Sequence, residues 1–186
     1  MNDNKLAVLF PGIGYHCDKP LLYYSAKLAK VAGYEVLPVP YGGFPEKVRG
    51  DADKMRESFE IAWSQAEAML ATVKWAEYRD ILFVGKSIGA IVASKYAADK
   101  GLAVRSVLLT PLSETFQFVR GSAVAFHGTA DPWANTPAIK AACEARGIPL
   151  FLTERANHSL ETGDVLRDIQ TLKATVARID AFIRAA

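Results

Sequence analysis

Short apolar runs recur along the chain at Leu6–Phe10, Glu35–Val39, Ile81–Val84, Ser106–Leu109, Ala123–Phe126 and Pro149–Leu152. Within them apolar residues mostly follow one another instead of alternating with polar ones. Strands of that kind are covered on both faces, as in a parallel sheet held between two layers of helices. The intervening segments switch to steps of three and four. Pro20–Ala32 presents Leu21, Tyr24, Leu28 and Val31 on one side and ends at Gly33. Asp51–Ala76 aligns Met55, Phe59, Ala62, Ala66, Met69, Val73 and Ala76. Ser87–Asp99 runs to a stop at Gly101. Thr136 is expected to cap a helix that has Pro137 at its first position and Gly147 at its end. Val165–Ile183 repeats at Val165, Ile169, Leu172, Val176, Ile179 and Ile183. These stripes are core-facing sides.

The order β-α-β-α-β-α-β-β-α-β-α predicts the α/β class: a doubly wound, mainly parallel, six-stranded sheet with right-handed crossovers. The expected strand order is 2-1-3-4-5-6. No linker, repeat or low-complexity stretch interrupts residues 1–186, so a single domain is expected. In such a sheet ligands gather beyond the carboxyl ends of the strands.

Composition narrows the function classes. Half of the residues are hydrophobic (51%), and 22 basic against 20 acidic residues leave a formal charge of +2. The basic residues form no run that could track phosphates, so nucleic-acid binding is not expected. No segment approaches the roughly 20 apolar residues of a membrane span. The start, Met-Asn-Asp-Asn-Lys before only five apolar residues, lacks the makings of a signal peptide. A soluble cytoplasmic protein is expected, with no membrane partner and a homodimer left open. Cys17 and Cys143 supply neither a disulfide framework nor a metal site, and no metal or cofactor is expected.

The chemistry sits where strands end. Ile81–Val84 runs into Gly85-Lys86-Ser87-Ile88-Gly89 and then a helix, the strand–turn–helix setting of a G-x-S-x-G nucleophile elbow. The serine occupies a strained turn, and the glycines make room where side chains would strike neighbouring backbone. Ala123–Phe126 leads into His127-Gly128-Thr129-Ala130-Asp131. Pro149–Leu152 leads through Asn157 to His158. A serine, an aspartate and a histidine thus each follow a strand, in the order Ser…Asp…His.

Those three motifs resemble the α/β-hydrolase superfamily, particularly small bacterial members related to dienelactone hydrolases and carboxylesterases. The resemblance runs from Leu6 to the final helix, with two leading strands of larger members missing and no cap insertion at Thr110–Gly121. It implies a triad of Ser87, Asp131 and His158 that cleaves a small carboxylic ester or thioester through an acyl-enzyme. The oxyanion donors it implies are the amide of Ile88 and one from the loop after the first strand, Ile13 in preference to Gly14.

Tyr15, Tyr41, Phe44, Phe116 and Trp133 fall in loops at strand ends and are expected to line the substrate pocket. Lys86 is expected to project sideways and pair with a carboxylate, and His127 to be a buried structural residue. Cys17 lies near the site but is a poorer nucleophile than the elbow serine. Gly12-Ile13-Gly14 is not a dinucleotide fingerprint, since Cys17 stands where a third glycine belongs. The segment Asp51–Ala76 is the one candidate for a partial lid. Two other uses of the same residues stay open, a peptidase with this triad and a binding or sensor protein on a hydrolase fold.

Overall fold

The computed structural model describes residues 4–185. Six strands, β1 (Lys5–Phe10), β2 (Glu35–Pro38), β3 (Asp80–Lys86), β4 (Arg105–Leu109), β5 (Ala123–Gly128) and β6 (Leu150–Thr153), form one sheet in the order β2-β1-β3-β4-β5-β6. Every pairing is parallel. β1 and β3 lie side by side with Phe10 opposite Gly85, so the loop after β1 meets the turn after β3.

Five helices cover the sheet: α1 (Pro20–Val31), α2 (Ala52–Leu70), α3 (Ile88–Asp99), α4 (Thr136–Glu144) and α5 (Val165–Arg184). Successive strand residues point to opposite layers. Ala7, Leu9, Leu82, Val84, Val107 and Phe126 pack with Leu22 and Ala29 of α1 and Ile179 and Ile183 of α5. Leu6, Val8, Phe10 and Phe83 pack on the other face with Ala62, Ala66 and Leu70 of α2 and Val92 and Tyr96 of α3. Helix α3 packs on β3 and is flanked by α2 and by the link after β4, and nearly all of its residues are buried.

Element ends differ from the expected ones for local reasons. The capping residue of α4 is Asn135, one residue earlier than Thr136, because its side chain accepts the Ala138 N–H at 3.0 Å. Helix α2 stops at Leu70, and a short 3₁₀ turn at Trp75–Glu77 replaces the last turns that the apolar spacing suggests. Another 3₁₀ turn, Ser113–Gln117, fills the link between β4 and β5, and no cap domain is inserted there.

A polar cluster that apolar patterning does not disclose ties the amino-terminal edge of the sheet to α5. Arg105 at the start of β4 pairs with Asp80 at the start of β3 at 3.0 Å and also bonds the Tyr34 hydroxyl. Its guanidinium donates to the carbonyls of Phe182 at 2.9 Å and Ile183 at 3.2 Å, near the negative end of α5. Tyr34 in turn donates to Asp80. Replacing Arg105 by leucine leaves the half-buried Asp80 carboxylate with only the Tyr34 hydroxyl and two helix carbonyls without their donor. Urea denaturation of Arg105→Leu is therefore expected to show a loss of about 1–3 kcal/mol.

Candidate active site

The turn between β3 and α3 is built by exclusion. Ser87 has φ 57° and ψ −124°, outside the regions that side chains favour. That geometry points the residue away from the sheet and lets α3 start at once behind it. A Cβ on Gly85 would stand 2.5 Å from the Ala90 Cα, and one on Gly89 would stand 2.2 Å from the Phe10 carbonyl oxygen. Both positions therefore require glycine. The Ser87 N–H donates to the Leu109 carbonyl at 3.0 Å, which fastens the turn to β4.

The loops after β5 and β6 meet this turn. Gly128 lets them touch, since a Cβ there would fall 2.3 Å from the Ala156 carbonyl oxygen. Asn157 accepts the N–H groups of Ser159 at 2.7 Å and Glu161 at 3.2 Å, and so folds the loop around His158. The Thr110 hydroxyl donates to the His158 carbonyl at 3.0 Å. The outcome is a hydrogen-bonded chain: Ser87 Oγ to His158 Nε2 at 2.7 Å, and His158 Nδ1 to Asp131 Oδ2 at 2.7 Å. The second carboxylate oxygen of Asp131 accepts the Trp133 N–H at 2.8 Å. The Trp133 indole stacks on the imidazole with centroids 5.5 Å apart.

Burial and charge set the protonation states. Burial pushes the His158 imidazole below its ordinary value, against the upward pull of the bond to Asp131, and the charge of Lys86 pushes it further down. Burial alone would raise the Asp131 carboxyl. The bond and charge of His158 and the Trp133 N–H outweigh it and hold Asp131 low. At neutral pH the chain is thus a serine hydroxyl, a neutral imidazole and a carboxylate, arranged so that the imidazole can accept the hydroxyl proton.

The loop after β1 turns back on itself through Gly12 N–H to Tyr15 O and Tyr15 N–H to Gly12 O, each 3.1 Å. Ile13 and Gly14 form the tip. Among the described residues, the N–H groups of Ile13, Gly14 and Ile88 have no backbone acceptor. Gly12 lies against the elbow, where a Cβ would come within 3.2 Å of Ser87 Cβ.

Apart from Trp133 on the imidazole, the expected pocket residues separate into three groups. Tyr41 and Phe44 line a groove of about 420 Å³ with Pro11, Gly12 and Cys17, and the Tyr41 hydroxyl donates to the Pro11 carbonyl at 2.6 Å. Tyr15 is a wall between this groove and a second cavity of about 370 Å³ under Leu160 and Ile169. Its ring is mostly buried, and its hydroxyl accepts the Leu21 N–H at 3.1 Å. Phe116 does not line a pocket. It is 2% exposed and packs with Ala90, Leu108 and Ile139, because the 3₁₀ turn that carries it folds down onto α3 and α4.

Lys86 also departs from expectation. It is buried, its amine lies 5.0 Å from the Tyr15 ring centroid, and no carboxylate pairs with it among the described residues. The strand alternation that places Leu82 and Val84 under α1 points Lys86 the same way. His127 is fully buried, with Nε2 2.9 Å from the Thr136 hydroxyl oxygen and Nδ1 3.7 Å from Asp131. The Cys17 thiol is pushed up to about 11, chiefly by burial, so it stays protonated. The amino-terminal part of α2 borders the site. Met55 and Phe59 pack beside Ile13 and Trp133 against Ile88, Ile91 and Leu112.

Among the described residues, no helix is long and apolar enough to cross a membrane, and no cluster of three or more His, Cys, Asp or Glu could hold a metal ion. His158, with its imidazole driven down by burial, is expected to titrate below about 6.5, the free-histidine value. Its positive form is then lost as pH rises through that lower midpoint. An NMR titration of the ring signals checks this, and a midpoint above 7 contradicts the electrostatics described.

No protein-family model matches the sequence, and no curated protein matches it. Solved structures do. An alpha-beta serine hydrolase homologue from Coxiella burnetii is 18% identical, with a TM-score of 0.65 over 94% of this chain and 84% of that one. A serine hydrolase without a lid from Xanthomonas campestris is 14% identical, with a TM-score of 0.63 over 100% of this chain and 83% of that one. An esterase from Pyrococcus furiosus is 12% identical, with a TM-score of 0.66 over 98% of this chain and 83% of that one. With its sheet order and the absence of an inserted cap, the chain has the α/β-hydrolase fold in a reduced, lidless form.

Proposed function

We propose that the protein is a serine hydrolase that cleaves small carboxylic esters or thioesters through an acyl-enzyme. The observation that carries this reading is the pair of 2.7 Å hydrogen bonds linking Ser87, His158 and Asp131 at the carboxyl end of the sheet. Ser87 Oγ attacks the acyl carbon while its proton passes to His158 Nε2 and the carbonyl electron pair moves onto oxygen. His158 then returns the proton to the departing alkoxide or thiolate. Water repeats the sequence on the acyl-enzyme and frees Ser87. Asp131 keeps the imidazole in the tautomer that accepts at Nε2 and stabilises its cation.

The developing oxyanion needs two donors fixed in place. We assign them to the Ile88 N–H, at the positive end of α3, and to the Ile13 or Gly14 N–H at the tip of the β1 loop. Trp133 shields the imidazole from water. Tyr41 steadies the loop through the Pro11 carbonyl and walls the groove with Phe44. With no cap, this groove suits a short acyl group. A long chain would gain about 0.8 kcal/mol per buried CH₂, but only over the few carbons that the groove can enclose.

A fluorophosphonate probe is expected to label Ser87 in the wild type and to leave Ser87→Ala unlabelled. The same substitution is expected to lower kcat by about 10⁴-fold or more with the fold retained. A folded wild type that is inert to the probe would favour a binding protein instead. Across esters of two, four, eight and twelve acyl carbons below their micelle concentrations, kcat/KM is expected to peak at the short chains. A peak at twelve carbons would contradict the reading of a short acyl groove.

A further inference from the structure

A lysine one residue before Ser87 is an expensive choice for a buried position. Lys86 is 1% exposed at the end of β3. Among the described residues its amine has no hydrogen-bond acceptor and no carboxylate at ion-pair distance, only the face of the Tyr15 ring at 5.0 Å. A methionine or leucine would fill the same space beside Tyr15 without the desolvation of an ammonium. The charged and titratable groups around the amine are few. The Tyr15 ring lies between two amines, Lys86 at 5.0 Å and Lys19 at 5.4 Å. Ser87, the residue after Lys86, is bonded at 2.7 Å to His158, which with Asp131 supplies the other charges that act with Lys86. His127, behind Asp131, is the remaining group that His158 senses.

We propose that Lys86 is a positioning residue of the Ser87 centre, whose buried ammonium holds His158 in its neutral, proton-accepting form in mildly acidic solution. This rests on the hydrolase reading above, in which His158 is the base. The physics is competition for a proton. Asp131 draws a proton onto His158, and an imidazolium there could not activate Ser87. A second positive charge in the same low-dielectric region opposes that protonation. Burial, with Lys19 adding to it and Asp131 opposing it, brings the Lys86 amine down to about 7. The amine is therefore charged over the acidic range where His158 titrates and neutral in alkaline solution, where His158 needs no help. Lys86 thus acts at low pH and is silent at high pH.

The test is a pair of measurements on wild type and Lys86→Met, with Lys86→Gln as a second variant of different shape. By NMR, the His158 midpoint is expected to rise by about 0.5–1 pH unit in the variants. The signal is assigned by its loss in His158→Gln. In hydrolysis of a short-chain ester, kcat/KM of the variants is expected to fall below wild type at pH 5.5, by about twofold to at most about tenfold, and to converge with it at pH 8. A packing role for Lys86 would lower activity alike at both pH values, and that result overturns the proposal. So does a His158 midpoint that moves in neither variant. If neither variant folds, the wild-type Lys86 amine itself decides by NMR. Titration near neutrality supports the proposal, and titration together with the surface lysines overturns it. If Ser87 is inert to fluorophosphonate and no ester is cleaved, the hydrolase reading falls. The His158 titration still judges the electrostatic claim by itself.

Discussion

A methyl group on Gly89 would sit 2.2 Å from the Phe10 carbonyl oxygen, and one on Gly85 would sit 2.5 Å from the Ala90 Cα. At those separations no side chain can exist, and helix α3 must pass directly over the ends of β1 and β3. That close passage forces the left-handed backbone of Ser87, brings the first turn of α3 under the serine, and leaves the β1 loop against it through Gly12. The strain at one residue is held by surroundings that are almost wholly buried, from Phe83 and Val84 below to Ile88 and Ile91 above. The serine is presented by the rigid part of the molecule. His158 and Asp131 reach it from loops.

The elements that could be read from the sequence are those governed by a single dominant force. The apolar runs gave strands in their places because a strand between two helical layers has no polar face to confuse the pattern. The elbow was legible because its glycines answer a steric demand between near neighbours in the chain. Other features needed the third dimension. Phe116 has the look of a pocket residue in a polar link, yet a 3₁₀ turn folds it onto Ala90 and Ile139. Lys86 was expected to find a carboxylate, and what decides its direction is the pleat that it shares with Leu82 and Val84. Arg105, Asp80 and Tyr34 carry no local signal, since Arg105 lies 25 residues from Asp80 and 71 from Tyr34 along the chain. The apolar spacing continues past Leu70, where Val73 and Trp75 join the core without α-helical geometry, so it overstates the length of α2.

Charge organises the site as much as shape does. Two imidazoles, an amine and a carboxylate share a small buried volume, and only His158 and Asp131 are joined by a short hydrogen bond. His127 is satisfied on one side by Thr136, while its Nδ1 has no hydrogen-bond partner and faces Asp131 from 3.7 Å. Asp131 is the single anion of the group. Each neighbouring nitrogen therefore acts on it, and through it on the others, and substitutions among these residues cannot be additive.

The sheet ends at β6, a strand of four residues with a neighbour on one side only. That strand delivers His158 to Ser87 across 71 positions of sequence. An outermost strand has the fewest bonds to break, so fraying begins at such an edge, well below the free energy of global unfolding. Were β6 to peel from β5, the imidazole would leave with it while Ser87 stayed in its elbow, an ordinary alcohol on an intact frame. The hydrogen bond between Ser87 and His158 is thus also a latch on the margin of the sheet, and exchange of the β6 amides with solvent keeps time with its opening.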